Sequence, residues 1–146
     1  MTDDADRRVR VHKMIPAPPE AVFRAWTEPE EIARWSAPPG AMVAESRVDL
    51  AEGGAWKLGM EDAEGLTHTA FGVYRAVDAP NRLVYTWDWE GEHSVGQTGV
   101  TVEFLAEDGS TCVVVTHEGF PAAEAAEGHR QGGIACLELL AGLFED

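Results

Sequence analysis

The chain has 146 residues, 45% of them apolar and 25% charged, which suits one globular domain whose core needs no covalent staples. Its 26 acidic and 11 basic residues leave a net charge of −15, which argues against nucleic acid and anionic membrane surfaces as partners, since both are polyanions. No stretch reaches the roughly 18 apolar residues of a membrane span, and the acidic start Met1–Asp6 lacks the apolar region of a signal peptide, so a cytoplasmic protein is expected.

Residues 1–6 are expected to be a disordered tail and 7–146 a single domain. Val9, Val11 and Ile15 alternate with Arg10 and His12 at the period of a half-buried strand, which Pro16, Pro18 and Pro19 end. From Glu20 the period changes. Val22, Phe23 and Trp26 share one helical face. Thr27-Glu28-Pro29-Glu30 then reads as a capping box, with Thr27 as the cap. It opens a second short helix that carries Ile32 and Trp35 inward, and Ser36–Gly40 is a Pro/Gly-rich exit loop.

Short strands follow. Met42–Leu50 is the first. Trp56, Leu58 and Met60 share one face of the next. His68–Val77 has Phe71, Val73 and Tyr74 as its large residues. Leu83, Tyr85, Trp87 and Trp89 share a face, as do Val100, Val102 and Phe104, and then Val113, Val115 and His117. Glu107-Asp108-Gly109 is a strong hairpin turn. The outer parities (Lys57, Thr86, Asp88, Thr101, Glu103) are polar. Connections this short demand antiparallel pairing.

Gly119–Phe144 is the one segment long enough for a helix of roughly five or six turns. A lone long helix after a run of strands must bury its apolar face on their sheet. The expected fold is therefore α+β: a curved antiparallel sheet of about seven strands gripping a C-terminal helix, with two short helices after the first strand. Gly128, Gly132, Gly133 and Gly142 raise the question of whether that helix fills the space it covers. Each glycine inside it costs roughly 0.8–1 kcal/mol relative to alanine, for close helix–sheet approach or for room for a ligand.

Little points to catalysis or cofactors. Cys112 and Cys136 have no CxxC neighbour, and buried reduced thiols are the default. There is no GxSxG nucleophile motif, and no base stands next to Cys136 in sequence. Spacing requires no convergence of His68, His117 and His129, so no metal is expected. Gly53-Gly54 precedes a strand and Gly132-Gly133 lies inside a helix, so neither is a phosphate loop. No cofactor is expected. His117, inward by parity, is the one weak catalytic candidate; the plainer reading is a buried histidine satisfied by a neighbour.

Several motifs carry a resemblance: Ala17-Pro18-Pro19-Glu20-Ala21-Val22-Phe23-Arg24-Ala25-Trp26-Thr27, Arg34-Trp35, Gly53-Gly54-Ala55-Trp56, Gly72-Val73-Tyr74, Pro80-Asn81-Arg82-Leu83-Val84-Tyr85-Thr86-Trp87, Thr116-His117-Glu118-Gly119-Phe120 and His129-Arg130-Gln131-Gly132. Over residues 8–144 the chain resembles the START-like (SRPBCC) superfamily, in the branch named for the homologous domain of heat-shock-protein ATPase activators. The resemblance implies a helix-grip (START/pollen-allergen-like) fold with a cavity between sheet and long helix. Members bind lipids, hormones and polyketides or act as cyclases and hydrolases, and fold alone does not choose among these. Ser36 stands where the branch often has an aromatic, and Ile134 where it often has Trp. Both departures imply a pocket of altered shape.

The leading expectation is a cytoplasmic protein that binds a small apolar or aromatic molecule and is not an enzyme. Trp26, Trp35, Trp56, Met60, Tyr85, Trp87 and Phe104 would form apolar walls. His117 and Tyr74 would be polar fixtures, and Gly133, Ile134 and Leu137 the helix side. The alternatives are a polyketide cyclase/aromatase- or hydrolase-type enzyme in the same cavity, and a chaperone-interacting, ATPase activator-like module. Acidic charge alone does not forbid a weak homodimer.

Overall fold

The computed structural model describes residues 7–37 and 40–145; the tail expected at 1–6 lies outside the described residues. The period-2 stretches become seven strands: β1 (Val9–Ile15), β2 (Met42–Val48), β3 (Ala55–Glu61), β4 (Thr67–Asp78), β5 (Arg82–Trp89), β6 (Thr98–Glu107) and β7 (Ser110–Glu118). They form one curled antiparallel sheet in the order β1-β7-β6-β5-β4-β3-β2. Strands β2 to β7 are a meander, and β1 adds beside β7 with Val9 opposite His117 and Ile15 opposite Thr111. The segment between β1 and β2 therefore carries the chain from one sheet edge to the other. It holds α1 (Pro19–Thr27) and the single turn α2 (Pro29–Ile32). The long helix α3 (Ala123–Leu143) closes the chain, and its contacts with the sheet concentrate on β1.

Local chemistry explains the joints. Pro19 sits in the first turn of α1, where its missing N–H is no loss. Asp108 and Gly109 both have positive φ, 50° and 83°, as the tight β6–β7 hairpin requires. The capping box at Thr27 does not form. Pro29 holds Glu28 extended, so Glu28 takes the position before α2 without a side-chain cap. Thr27 stays the last residue of α1, and its hydroxyl donates to Phe23 O at 2.9 Å. Trp35 lies just beyond α2, not on it, and still points inward, donating through Nε1 to Ala25 O at 2.9 Å.

The close-packed core fills one part of the cup. Ile15, Val22, Leu83, Val102, Phe104, Val113 and Leu140 are fully enclosed there. The outer face of the sheet is less polar than its parity suggests: Phe71 and Val73 of β4 are 39% and 36% exposed. Thr86, on that same face, is buried because its Oγ1 accepts the Val73 N–H at 2.9 Å, beside a β4 bulge.

Candidate functional site

A cavity of about 620 Å³ lies where α3 leaves the sheet. Because α3 rests mainly on β1, the far side of the curled sheet stands off from it, and β5 reaches the helix through Trp89 and His129. The helix side of the gap is nearly bare. Gly128, Gly132 and Gly133 line the cavity, and a Cβ added at Gly128 or Gly132 would meet nothing within 4 Å. The glycines therefore leave open volume; they do not serve close helix–sheet approach.

The opposite wall is aromatic. Trp26 packs against Trp35 with ring centroids 4.6 Å apart and planes tilted by 52°, and Trp56 lies 5.0 Å from Trp87 and 5.6 Å from Tyr85. Gly72 makes this wall buildable. It pairs with Trp56 across the β3–β4 ladder, and any Cβ there would collide with the Thr86 carbonyl oxygen and with Trp56 Nε1. Without that Cβ, the Trp56 indole lies across β4 and donates to Thr86 O at 3.1 Å.

Two histidines meet at one end, their ring centroids 5.4 Å apart. His129 Nε2 accepts from the Trp89 indole at 2.8 Å, and its Nδ1–H donates to Ala125 O at 2.8 Å. Both nitrogens are thus occupied in one neutral tautomer. His117 Nε2 lies 2.7 Å from Thr98 Oγ1, which itself donates to Trp87 O at 2.8 Å. Burial first, and then the neighbouring His129, push His117 down to about 3. His68 stands apart at the rim, where its bond to Asp62 (2.8 Å) holds that carboxyl below its ordinary range.

The remaining polar groups are sparse. Tyr85 OH accepts from Trp26 Nε1 at 3.2 Å, and burial pushes the phenol up to about 12. Burial likewise raises Tyr74 and lifts the Cys136 thiol to about 11, so neither supplies an anion at neutral pH. Trp87 Nε1–H is buried with no partner among the described residues. The basic side chains at the rim are already engaged: Glu45 lies 2.7 Å from Arg47 and 3.8 Å from Lys57.

Of the expected ligand-binding residues, Trp26, Trp35, Trp56, Met60, Tyr74, Tyr85, Trp87, His117, Gly133 and Leu137 line this cavity. Phe104 and Ile134 do not. Phe104 is inward by parity, but it sits farther along β6, where Phe23 (5.3 Å) and Trp26 (5.8 Å) close over it in the solid core. Ile134 is one position past Gly133, about 100° around the helix, and packs on the core instead. The sequence reading missed Trp89, which shares the parity of Tyr85 and Trp87, and His129, Gly132 and Cys136, which recur on the helix face of Gly133.

The family model described as Activator of Hsp90 ATPase homolog 1-like protein matches residues 16–145. None of the curated proteins matches the chain. Among solved structures, a protein from Chromobacterium violaceum is 27% identical, with a TM-score of 0.88 over 96% of this chain and 98% of its own. An AHSA1-like protein from Aeromonas hydrophila is 27% identical, with a TM-score of 0.75 over 94% and 95%. The AHSA1 protein from Silicibacter pomeroyi, 22% identical with a TM-score of 0.83 over 92% and 95%, shares the fold.

Proposed function

This chain belongs to the family of Activator of Hsp90 ATPase homolog 1-like proteins, and from that premise we propose that it binds a small, largely apolar molecule in the cavity between sheet and α3. The observation that carries the reading is the open volume beside Gly128, Gly132 and Gly133, facing an aromatic wall. A volume of about 620 Å³ is in the range of small-molecule pockets, as is a lining that is apolar apart from a few polar groups. Each helix glycine weakens α3, and room for a ligand is what that cost brings.

Binding without turnover fits the chemistry better than catalysis. A histidine pushed down to about 3 is a weak base at neutral pH, and a thiol at about 11 is a poor nucleophile. We place the protein in the cytoplasm, with its thiols reduced. Native mass spectrometry of protein purified from its own cells tests the reading: a co-purifying small molecule is expected. Bare protein that also takes up no added apolar compound contradicts it.

The family description raises a second reading, contact with a chaperone ATPase. The observation in its favour is the exposed pair Phe71 and Val73 on the outer face of β4. If that face is the contact, Phe71→Ser abolishes stimulation of the chaperone's ATPase while leaving small-molecule uptake intact. Failure of the unaltered protein to stimulate any ATPase removes this reading.

A further inference from the structure

The polar end of the cavity has a fixed hydrogen-bonding sense, set by a chain of three groups. Trp87 O is a backbone carbonyl and can only accept. The contact of 2.8 Å between it and Thr98 Oγ1 therefore uses the one proton of the Thr98 hydroxyl. Thr98 Oγ1 has no second proton for His117 Nε2, 2.7 Å away, so that nitrogen must carry the hydrogen and donate. A neutral imidazole has one N–H. His117 Nδ1 is then a bare lone pair.

That lone pair is unclaimed. His117 is 8% exposed and lines the cavity, and no described residue hydrogen-bonds to Nδ1. The neighbouring imidazole cannot serve it, because the Nδ1–H of His129 is held by Ala125 O and its Nε2 accepts from Trp89. Aromatic rings surround the imidazole: those of Trp87 and His129, which line the cavity, and of Phe120 behind them lie 5.8, 5.4 and 4.4 Å from that of His117. Cavity space reaches this acceptor, since the buried atom left without a partner here is Trp87 Nε1 and not His117 Nδ1. A ligand that displaces solvent from Nδ1 must replace its donor, so one that supplies the donor is favoured over one that cannot.

We infer that His117 is a specificity-determining residue whose Nδ1, held as an acceptor by Thr98, selects an uncharged aromatic molecule carrying an O–H or N–H donor. The inference rests on the cavity-binding reading and deepens it. It disfavours two ligand classes at Nδ1 itself, whereas the neighbouring Trp87 Nε1–H is a donor without a partner among the described residues. A carboxylate would bring a second lone pair against Nδ1, and an ether or ketone would do the same without charge. Phenols and aromatic N–H compounds satisfy it. Protonation does not switch the preference near neutrality, since burial keeps the imidazole neutral there.

The test compares 2-naphthol with 2-methoxynaphthalene, which share a skeleton and differ in the donor, by calorimetric titration of the full chain at pH 7. The naphthol is expected to bind about tenfold more tightly. In His117→Phe the preference falls to about one, with the methoxy compound still bound. In Thr98→Val, which frees the imidazole to take either tautomer, the preference shrinks. Should a variant not fold, a two-bond proton–nitrogen spectrum of the unaltered protein decides: it must show His117 protonated on Nε2 and bare on Nδ1. The opposite tautomer, or equal affinity for the two probes, overturns the inference and leaves the cavity-binding reading standing. Binding of neither probe overturns both.

Discussion

Gly133 faces Val11 with room for a side chain between them: a Cβ added at Gly133 would come no closer than 3.9 Å to Val11 Cγ2, its one neighbour within 4 Å. That is ordinary van der Waals contact. The helix could carry a side chain here and does not.

Gly133→Ala is therefore expected to stabilise the protein by about 0.8–1 kcal/mol, the helix-propensity difference alone. Gly132→Ala behaves alike. Gly72→Ala goes the other way and prevents correct folding of β4, because its Cβ would strike the Thr86 carbonyl. Urea unfolding of the three variants checks both signs.

Trp26 and Tyr85 join the α1 side of the cavity to β5 through one hydrogen bond of 3.2 Å between buried groups. Tyr85→Phe leaves the indole N–H without its acceptor, and stability is expected to fall by about 1–3 kcal/mol. If equilibrium unfolding shows no loss, that indole has another acceptor and the bond does not hold the wall in place.

His117 makes stability depend on pH over a defined window. Its ordinary value of 6.5 falls to about 3 in the folded protein. Between those values the unfolded chain holds a proton that the native chain does not, so stability drops as pH falls. One such group contributes a slope of about 1.4 kcal/mol per pH unit. Above pH 6.5 its contribution is flat. His117→Phe is expected to remove that slope; unfolding midpoints of the two proteins from pH 7 to pH 4 give the difference. Parallel profiles would mean that His117 titrates normally in the fold.

Much of this was legible in the sequence, for a physical reason. Strand parity is a local property, so Leu83, Tyr85, Trp87 and Trp89 announce their common face, and the glycines of 128–133 announce a bare helix. Depth along a strand is not local. Phe104 has the right parity but lies under α1, where Phe23 and Trp26 cover it. The role of Gly72 depends on its partner across the ladder, Trp56. The Thr98–His117 lock joins residues 19 apart that meet only once β6 and β7 pair. The failed cap at Thr27 was a true local error, since Pro29 already restrained Glu28.

The central claim is that the space beneath α3 is a binding site, and the most direct measurement fills it from the helix side. N-phenyl-1-naphthylamine, an uncharged dye that brightens in apolar surroundings, is titrated into the unaltered protein and into Gly133→Leu, with thermal unfolding of both. Saturable uptake of one dye per chain is expected in the first. In the second, uptake should be lost while unfolding stays cooperative at an equal or higher temperature, because the leucine occupies the space in which the dye sits. Undiminished uptake by Gly133→Leu, or no saturable uptake by the unaltered protein, would contradict the account.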